Sequence, residues 1–150
     1  MIIKQATKAD IAELLNLQKL AFASVASALN WPECPNLHET YDDVAQDFDN
    51  WIVLKAVDAN NRILGSIRGQ QWLDGTLYLL RLMVHPDYRK QGIASHLLDA
   101  ITEAIPHNRV QLETLAQVPE TMAMYLRRGF RIFKYESIDN RLGWAYMELL

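Results

Sequence analysis

Apolar side chains recur along this chain in two rhythms, and each change of rhythm marks a new element. Residues 2–5 form a short apolar start, expected as an edge strand. Thr7-Lys8-Ala9-Asp10 sets a hydroxyl three residues before a carboxylate, a signal of a helix N-terminus. Ile11, Leu14, Leu15, Leu17, Ala21, Phe22 and Val25 then fall near helical spacing, so a helix is expected over 8–28. Pro32 and Pro35 break residues 30–37 into a loop. Residues 38–48 read as a second helix. Of its acids Glu39, Asp42, Asp43 and Asp47, some fall near the start, where the macrodipole favours negative charge.

The rhythm then shortens. Residues 51–57, 62–72 and 76–84 are rich in aromatic and β-branched side chains. The turn signals Asp58-Ala59-Asn60-Asn61 and Asp74-Gly75 divide them, predicting a three-stranded meander. The third strand is almost continuously apolar, which predicts burial on both faces. Pro86 stops it, having no N–H for a ladder. A helix follows from about residue 91, with Ile93, Leu97, Ile101 and Ile105 on one stripe, Ala94 and Leu98 beside it, and Pro106 ending it. Residues 110–115 read as a strand. Pro119 opens a helix expected to turn Met122, Tyr125 and Leu126 inward and to end at Gly129. Residues 130–136 and 142–149 form a last pair of strands. The order is β-α-α-β-β-β-α-β-α-β-β, without repeat or linker. It predicts an α+β fold, one domain over 1–150 with a mixed central sheet flanked by helices.

With 150 residues, half of them hydrophobic, the chain suits a single core. A net charge of -3 gives no electrostatic case for nucleic-acid binding. Arg68, Arg81, Arg89 and Lys90 would serve one anionic ligand if the fold gathers them. Cys34 is the only cysteine, which excludes an intramolecular disulfide. With no signal-like start and no long apolar run, a cytoplasmic protein without a membrane partner is expected. Cys34 lies between Pro32 and Pro35 with no evident base, and reads as inert. No spacing of ligating side chains suggests a metal.

The chemistry concentrates in residues 79–98. A hydrophobic strand runs into His85-Pro86-Asp87-Tyr88, then Arg89-Lys90-Gln91-Gly92-Ile93-Ala94, then an amphipathic helix. The first N–H groups of a helix lack intrahelical partners and carry partial positive charge, so a helix start is a site for anions. Gly92 has no side chain to hold a phosphate away, and Ala94 has little. A P-loop would need Gly-Lys-Ser/Thr, and a dinucleotide fingerprint three spaced glycines; neither is present.

Arg89-x-x-Gly92-x-Ala94 resembles the Gln/Arg-x-x-Gly-x-Gly/Ala signature of the GNAT superfamily of N-acetyltransferases. The stretch from Leu77 to Leu98 resembles that family's core motif, and Met124 to Phe130 resembles its downstream Tyr-x-x-x-Gly-Phe element. The resemblance implies the acyl-CoA N-acyltransferase fold and acetyl-CoA as co-substrate, attacked directly by an amine acceptor. It implies that backbone groups of Leu82, Met83 and Val84 meet the pantetheine arm. It places the pyrophosphate on the amides of Arg89, Lys90, Gln91, Gly92, Ile93 and Ala94, with the Ser95 hydroxyl beside them. The strand at 110–115 is expected to splay from that at 76–84, a form of splay that bulges often make.

Tyr125 matches the family tyrosine that protonates the departing thiolate. Many members carry a basic glutamate near the third meander strand; here Arg81 stands among apolar residues instead. Glu113, on the next strand, is the nearest candidate base, with a water relay as the other route. His85 reads as structural. Val118 stands where members often have a cofactor-contacting asparagine. The acceptor side is expected from the first two helices, their loop and the final hairpin, with Trp31, Glu33, Asn36, His38, Glu39, Tyr41 and Trp144 as candidates. A small primary amine is the expected acceptor. The alternatives are an acyl-CoA-binding regulatory module without transfer activity, and an acetyltransferase of protein N-termini or lysines. Aromatic residues in the C-terminal strands would permit a homodimer.

Overall fold

A computed structural model describes the whole chain, Met1–Leu150. Strand β1 (Ile2–Gln5) leads into a 3-10 turn at Lys8–Asp10, then helix α1 (Ile11–Ala28). The Thr7 N–H donates to Asp10 Oδ2 at 2.9 Å, so the capping carboxylate ends the tight turn and α1 proper starts three residues later than the periodicity suggests. Helix α2 (Tyr41–Asn50) also starts later than expected. Its cap is Thr40, whose hydroxyl accepts from Asp43 N while its own N–H donates to Asp43 Oδ2. Glu39 therefore lies ahead of the helix, free to point elsewhere.

The meander is β2 (Ile52–Val57), β3 (Ile63–Gln71) and β4 (Thr76–Val84). Helix α3 (Ile93–Ala104) crosses to β5 (Arg109–Leu115), which is followed by α4 (Pro119–Arg127) and the hairpin of β6 (Arg131–Ser137) and β7 (Gly143–Leu149). The seven strands form one mixed sheet in the order β1-β2-β3-β4-β5-β7-β6, with β1 at an edge as expected. Every neighbouring pair is antiparallel except β4 and β5, which the α3 crossover makes parallel.

Two apolar layers hold the sheet. On one face, Leu97, Leu98 and Ile101 of α3 and Tyr125 of α4 pack with Leu77, Leu79, Val110, Leu112 and Met147. On the other, Leu14, Leu17 and Ala21 of α1 meet Val53, Val57, Ile63 and Met83. Gly65 on β3 lets α3 approach closely: a Cβ there would sit 2.9 Å from Ile93 Cγ2 and 2.9 Å from Met83 O. This contact seats the first residue of α3 against the sheet.

Two burial expectations need correction. Helix α4 turns Tyr125 inward and leaves Met122 partly buried, but Leu126 is 52% exposed. In a nine-residue helix the next position after Tyr125 lies about 100° round the axis, off the apolar stripe. Strand β4 is not buried on both faces either: Tyr78, Leu80, Arg81, Leu82 and Val84 are only half-buried. Most of these apolar positions border a cleft rather than a core.

Arg68 on β3 is 1% exposed and lies under α1 and α2. Its Nη1 donates to Asp47 Oδ2 at 2.5 Å and its Nη2 to Gln18 Oε1 at 3.0 Å. Burial holds the Asp47 carboxyl above its ordinary range even beside Arg68. Replacing Arg68 by alanine leaves Asp47 and Gln18 without their partner. Arg68→Ala is expected to lower unfolding stability by about 3 kcal/mol, read from urea denaturation; a change within error would show that the network carries no stability.

Candidate functional site

Strands β4 and β5 run side by side only as far as the pair Leu79–Leu112. Beyond it, β4 continues from Leu80 to Val84 and β5 from Glu113 to Leu115 with no ladder between them, so the sheet forks. The cause lies on β4. Between Ser66–Met83 and Arg68–Leu80 the β3–β4 register slips, setting Arg81 and Leu82 opposite the single residue Ile67. This is a β-bulge, and bulges bend and twist the strand that carries them. Arg81 takes φ +55, a left-handed conformation that costs a non-glycine residue about 1 kcal/mol.

Arg81 is held there by charge. Its Nε donates to Glu39 Oε1 at 2.9 Å. The same oxygen accepts from Gln18 Nε2 at 2.6 Å, and Arg68 Nη1 lies 4.0 Å away. Burial tends to raise the Glu39 pKa, but Arg81, Gln18 and Arg68 outweigh it and hold the carboxyl below its usual range. Glu39 is thus an anchored carboxylate under the bulge, not a wall of an acceptor pocket.

The second half of the site is the start of α3. Lys90 and Gly92 have φ +63 and +82, so the chain coils into the helix and α3 begins at Ile93 rather than near 91. None of the backbone N–H groups from Arg89 to Ser95 donates to an acceptor within the chain. The turn is open: residues 89–92 are exposed, and a Cβ on Gly92 would meet nothing nearer than the His96 ring at 3.5 Å. Successive free amides at a helix start form a cradle for an anion.

Fork and helix start share one cleft of about 980 Å³. Leu82, Met83, Val84, Arg89, Lys90, Gly92, Ile93, Ala94, Ser95, Glu113 and Tyr125 all border it; of the residues singled out from sequence for these roles, Gln91 alone does not. Tyr125 is 5% exposed, packs edge-on against Phe130 with ring centroids 5.5 Å apart, and makes no hydrogen bond within the chain. Burial pushes its phenol well above its ordinary pKa. Glu113, on the other arm, has no hydrogen-bond or ion-pair partner in an arginine or lysine and faces Tyr146 across the β5–β7 ladder. Tyr146 is pushed up to about 12, by burial first and by the Glu113 carboxylate next.

The four cations do not gather. Arg68 is buried with Asp47, and Arg81 is tied to Glu39. Arg89 donates through Nη2 to Ser24 Oγ at 2.8 Å, bridging the turn to α1. Lys90 alone is exposed beside the cradle without a partner. Of the acceptor-side candidates, Asn36 and Trp144 reach the cleft. Trp31 is buried edge-on against Trp144, His38 Nε2 is bonded to Pro32 O, and Glu33 and Tyr41 are exposed. Cys34 is buried, its thiol pushed up by burial.

The model of the acetyltransferase (GNAT) family matches residues 11–130. The chain belongs to that family. Solved structures agree in fold. The ribosomal-protein-S18-alanine N-acetyltransferase from Escherichia coli superposes with TM-score 0.79 at 19% identity, covering 99% of this chain and 92% of that one. The paia N-acetyltransferase from Thermoplasma acidophilum, in complex with coenzyme A, gives 0.77 at 18%, covering 99% and 98%. A putative acetyltransferase, yncA from Salmonella typhimurium, with acetyl-CoA as its cofactor, gives 0.74 at 18%, covering 99% and 92%. No curated protein matches the sequence. The fork and the helix start both lie within the matched residues.

Coenzyme A, held by the Thermoplasma acidophilum protein, is the probe for the cradle. Gly92→Glu sets a carboxylate among the free amides and is expected to weaken coenzyme A binding roughly a hundredfold in a calorimetric titration. Its thermal midpoint should fall only by the small cost of a side chain at positive φ. Unchanged affinity would remove the cradle from the site.

Proposed function

We propose that this chain transfers an acetyl group from acetyl-CoA to a primary amine by direct attack within a ternary complex. The observation that carries this reading is the row of unpartnered amides from Arg89 to Ser95 opening into the fork that Tyr125 borders. The amides of Arg89, Lys90, Gln91, Gly92, Ile93 and Ala94 take the diphosphate, with the Ser95 hydroxyl beside it. The free edge of β4 at Leu82, Met83 and Val84 takes the pantetheine arm as an added strand. Val118 borders the cleft as an apolar wall and offers no side-chain hydrogen bond to the arm.

In the transfer, the amine nitrogen bonds to the thioester carbon, the C–S bond breaks, and the electron pair leaves on sulfur. Backbone N–H groups at Met83 or Val84 polarise the carbonyl oxygen. Tyr125 gives its proton to the departing thiolate. Its raised pKa keeps the phenol protonated until the thiolate forms beside it. Glu113 stands on the acceptor arm as the base that takes the proton of the attacking amine. Holding both reactants in line supplies most of the acceleration. A binding module without transfer would have no use for a phenol turned unpartnered into the cleft.

Tyr125→Phe is expected to lower kcat about 100-fold or more while changing the KM for acetyl-CoA little, in a thiol-release assay with a panel of amines. In the wild type, kcat should show no loss from phenol ionisation up to about pH 10, since an acid with a raised pKa keeps its proton there. Wild-type kcat retained in the phenylalanine variant would assign the proton to another donor. Glu113→Gln should lower kcat roughly 100-fold; full activity would leave the proton to a chain of waters.

A further inference from the structure

Arg81 carries more than its ion pair requires. Its Nε is fixed to Glu39, but neither Nη nitrogen donates to any protein acceptor. Nor are they sealed off: the side chain is 20% exposed and borders the cleft. A guanidinium anchored through Nε presents its other edge in a set orientation, and that planar edge matches the two oxygens of a carboxylate. The anchor is itself braced, since Gln18 and Arg68 hold Glu39 from behind. Arg81 also keeps its strained φ of +55 in mid-strand, and strain of this kind persists where the surrounding structure enforces it for use.

The anion that Arg81 awaits is not the diphosphate. Ile93 and the helix it starts pack against the sheet face that Gly65 opens. The Arg81 side chain runs to Glu39, on the opposite face with α1 and α2. It is the face on which the sequence leads the acceptor to be expected. Glu113 stands on the other arm of the fork, one residue past Leu112 as Arg81 is two past Leu79, and no cationic side chain pairs with it. Arg81, whose Nη edge has no protein partner, and Glu113, whose neighbour is the Tyr146 hydroxyl rather than a cation, border one cavity from its two arms.

We infer that Arg81 binds a carboxylate of the acceptor, so that the acceptor is an amino acid: a primary amine with a carboxylate in the same small molecule. The inference rests on the transferase reading above. The amine lies toward Glu113 and the thioester, and the carboxylate lies across the Nη edge of Arg81. Arg81 is then a specificity-determining residue, and the bulge that opens the fork also selects what enters it.

The test uses the full chain with saturating acetyl-CoA and matched sets of acceptors: free L-amino acids, the corresponding amino-acid amides, and the amines that lack the carboxylate altogether. For at least one amino acid, kcat/KM should exceed that of its amide and its amine by about tenfold or more, the worth of a charge-assisted pair. Arg81→Gln should bring that ratio close to one, chiefly through the KM of the amino acid, and Arg81→Lys should restore part of it. Arg81→Gly, which suits the positive φ, should lose the ratio in the same way, separating recognition from the shape of the bulge. Because the readout is a ratio on one protein sample, a partly unfolded variant does not change it. Equal use of amine and amino acid by the wild type would overturn the inference, as would a ratio that survives in Arg81→Gln. Turnover of amines with no amino acid accepted would overturn it while leaving the transferase reading intact. Failure of acetyl-CoA to bind in calorimetry would remove the transferase reading and this inference together.

Discussion

The parting of β4 from β5 after Leu79 and Leu112 is the constraint on which the remaining structure depends. Parallel neighbours need a crossover, and the crossover here is α3, whose start lies at the end of β4 where the strands diverge. The same parting strips the inner edge of β4 of its ladder partner. Unpaired backbone groups are costly when buried away from water. A cleft open to solvent removes that cost. The fork thus leaves one edge of β4 unpaired beside the free amides at the start of α3.

What keeps the fork open is a bulge at a charged residue. Arg81 sits in a left-handed conformation and is held by Glu39, which Gln18 braces from α1 and Arg68 from β3. Asp47 ties the same arginine to α2. Helices α1 and α2 and the strand that borders the cleft are therefore one mechanical unit. A neutral sheet with the same apolar pattern would be free to close β4 against β5. Buried ion pairs add little net stability against a well-packed apolar alternative, but they fix one arrangement over others.

Much of this was legible from residue pattern. The order of elements, the meander and the stripe on α3 follow from periodicity, and each strand boundary lies within two residues of expectation. The turn at Gly92 was legible because the glycine stands immediately before the apolar stripe of α3, where a helix start is expected. The network was not. Glu39 read as a helix-start acid although Thr40-x-x-Asp43 repeats the capping pattern of Thr7-x-x-Asp10 and marks Thr40 as the cap. Arg68 and Arg81 read as free cations because their partners lie far off in sequence, at Asp47 and Glu39. The bulge left no mark, since arginine at a positive φ is not a glycine that announces itself. Apolar residues on β4 read as core because a strand lining a largely apolar cleft and a strand facing packed side chains look alike in composition.

The central claim is that one ligand lies on both the free edge of β4 and the free amides at the start of α3. Hydrogen–deuterium exchange of the full chain, with and without saturating coenzyme A, tests it most directly. Exchange is expected to slow together in the segments spanning residues 80–84 and 89–95, with β1 and β2 unaffected. Bound coenzyme A that leaves both segments exchanging at their free rates would contradict the account.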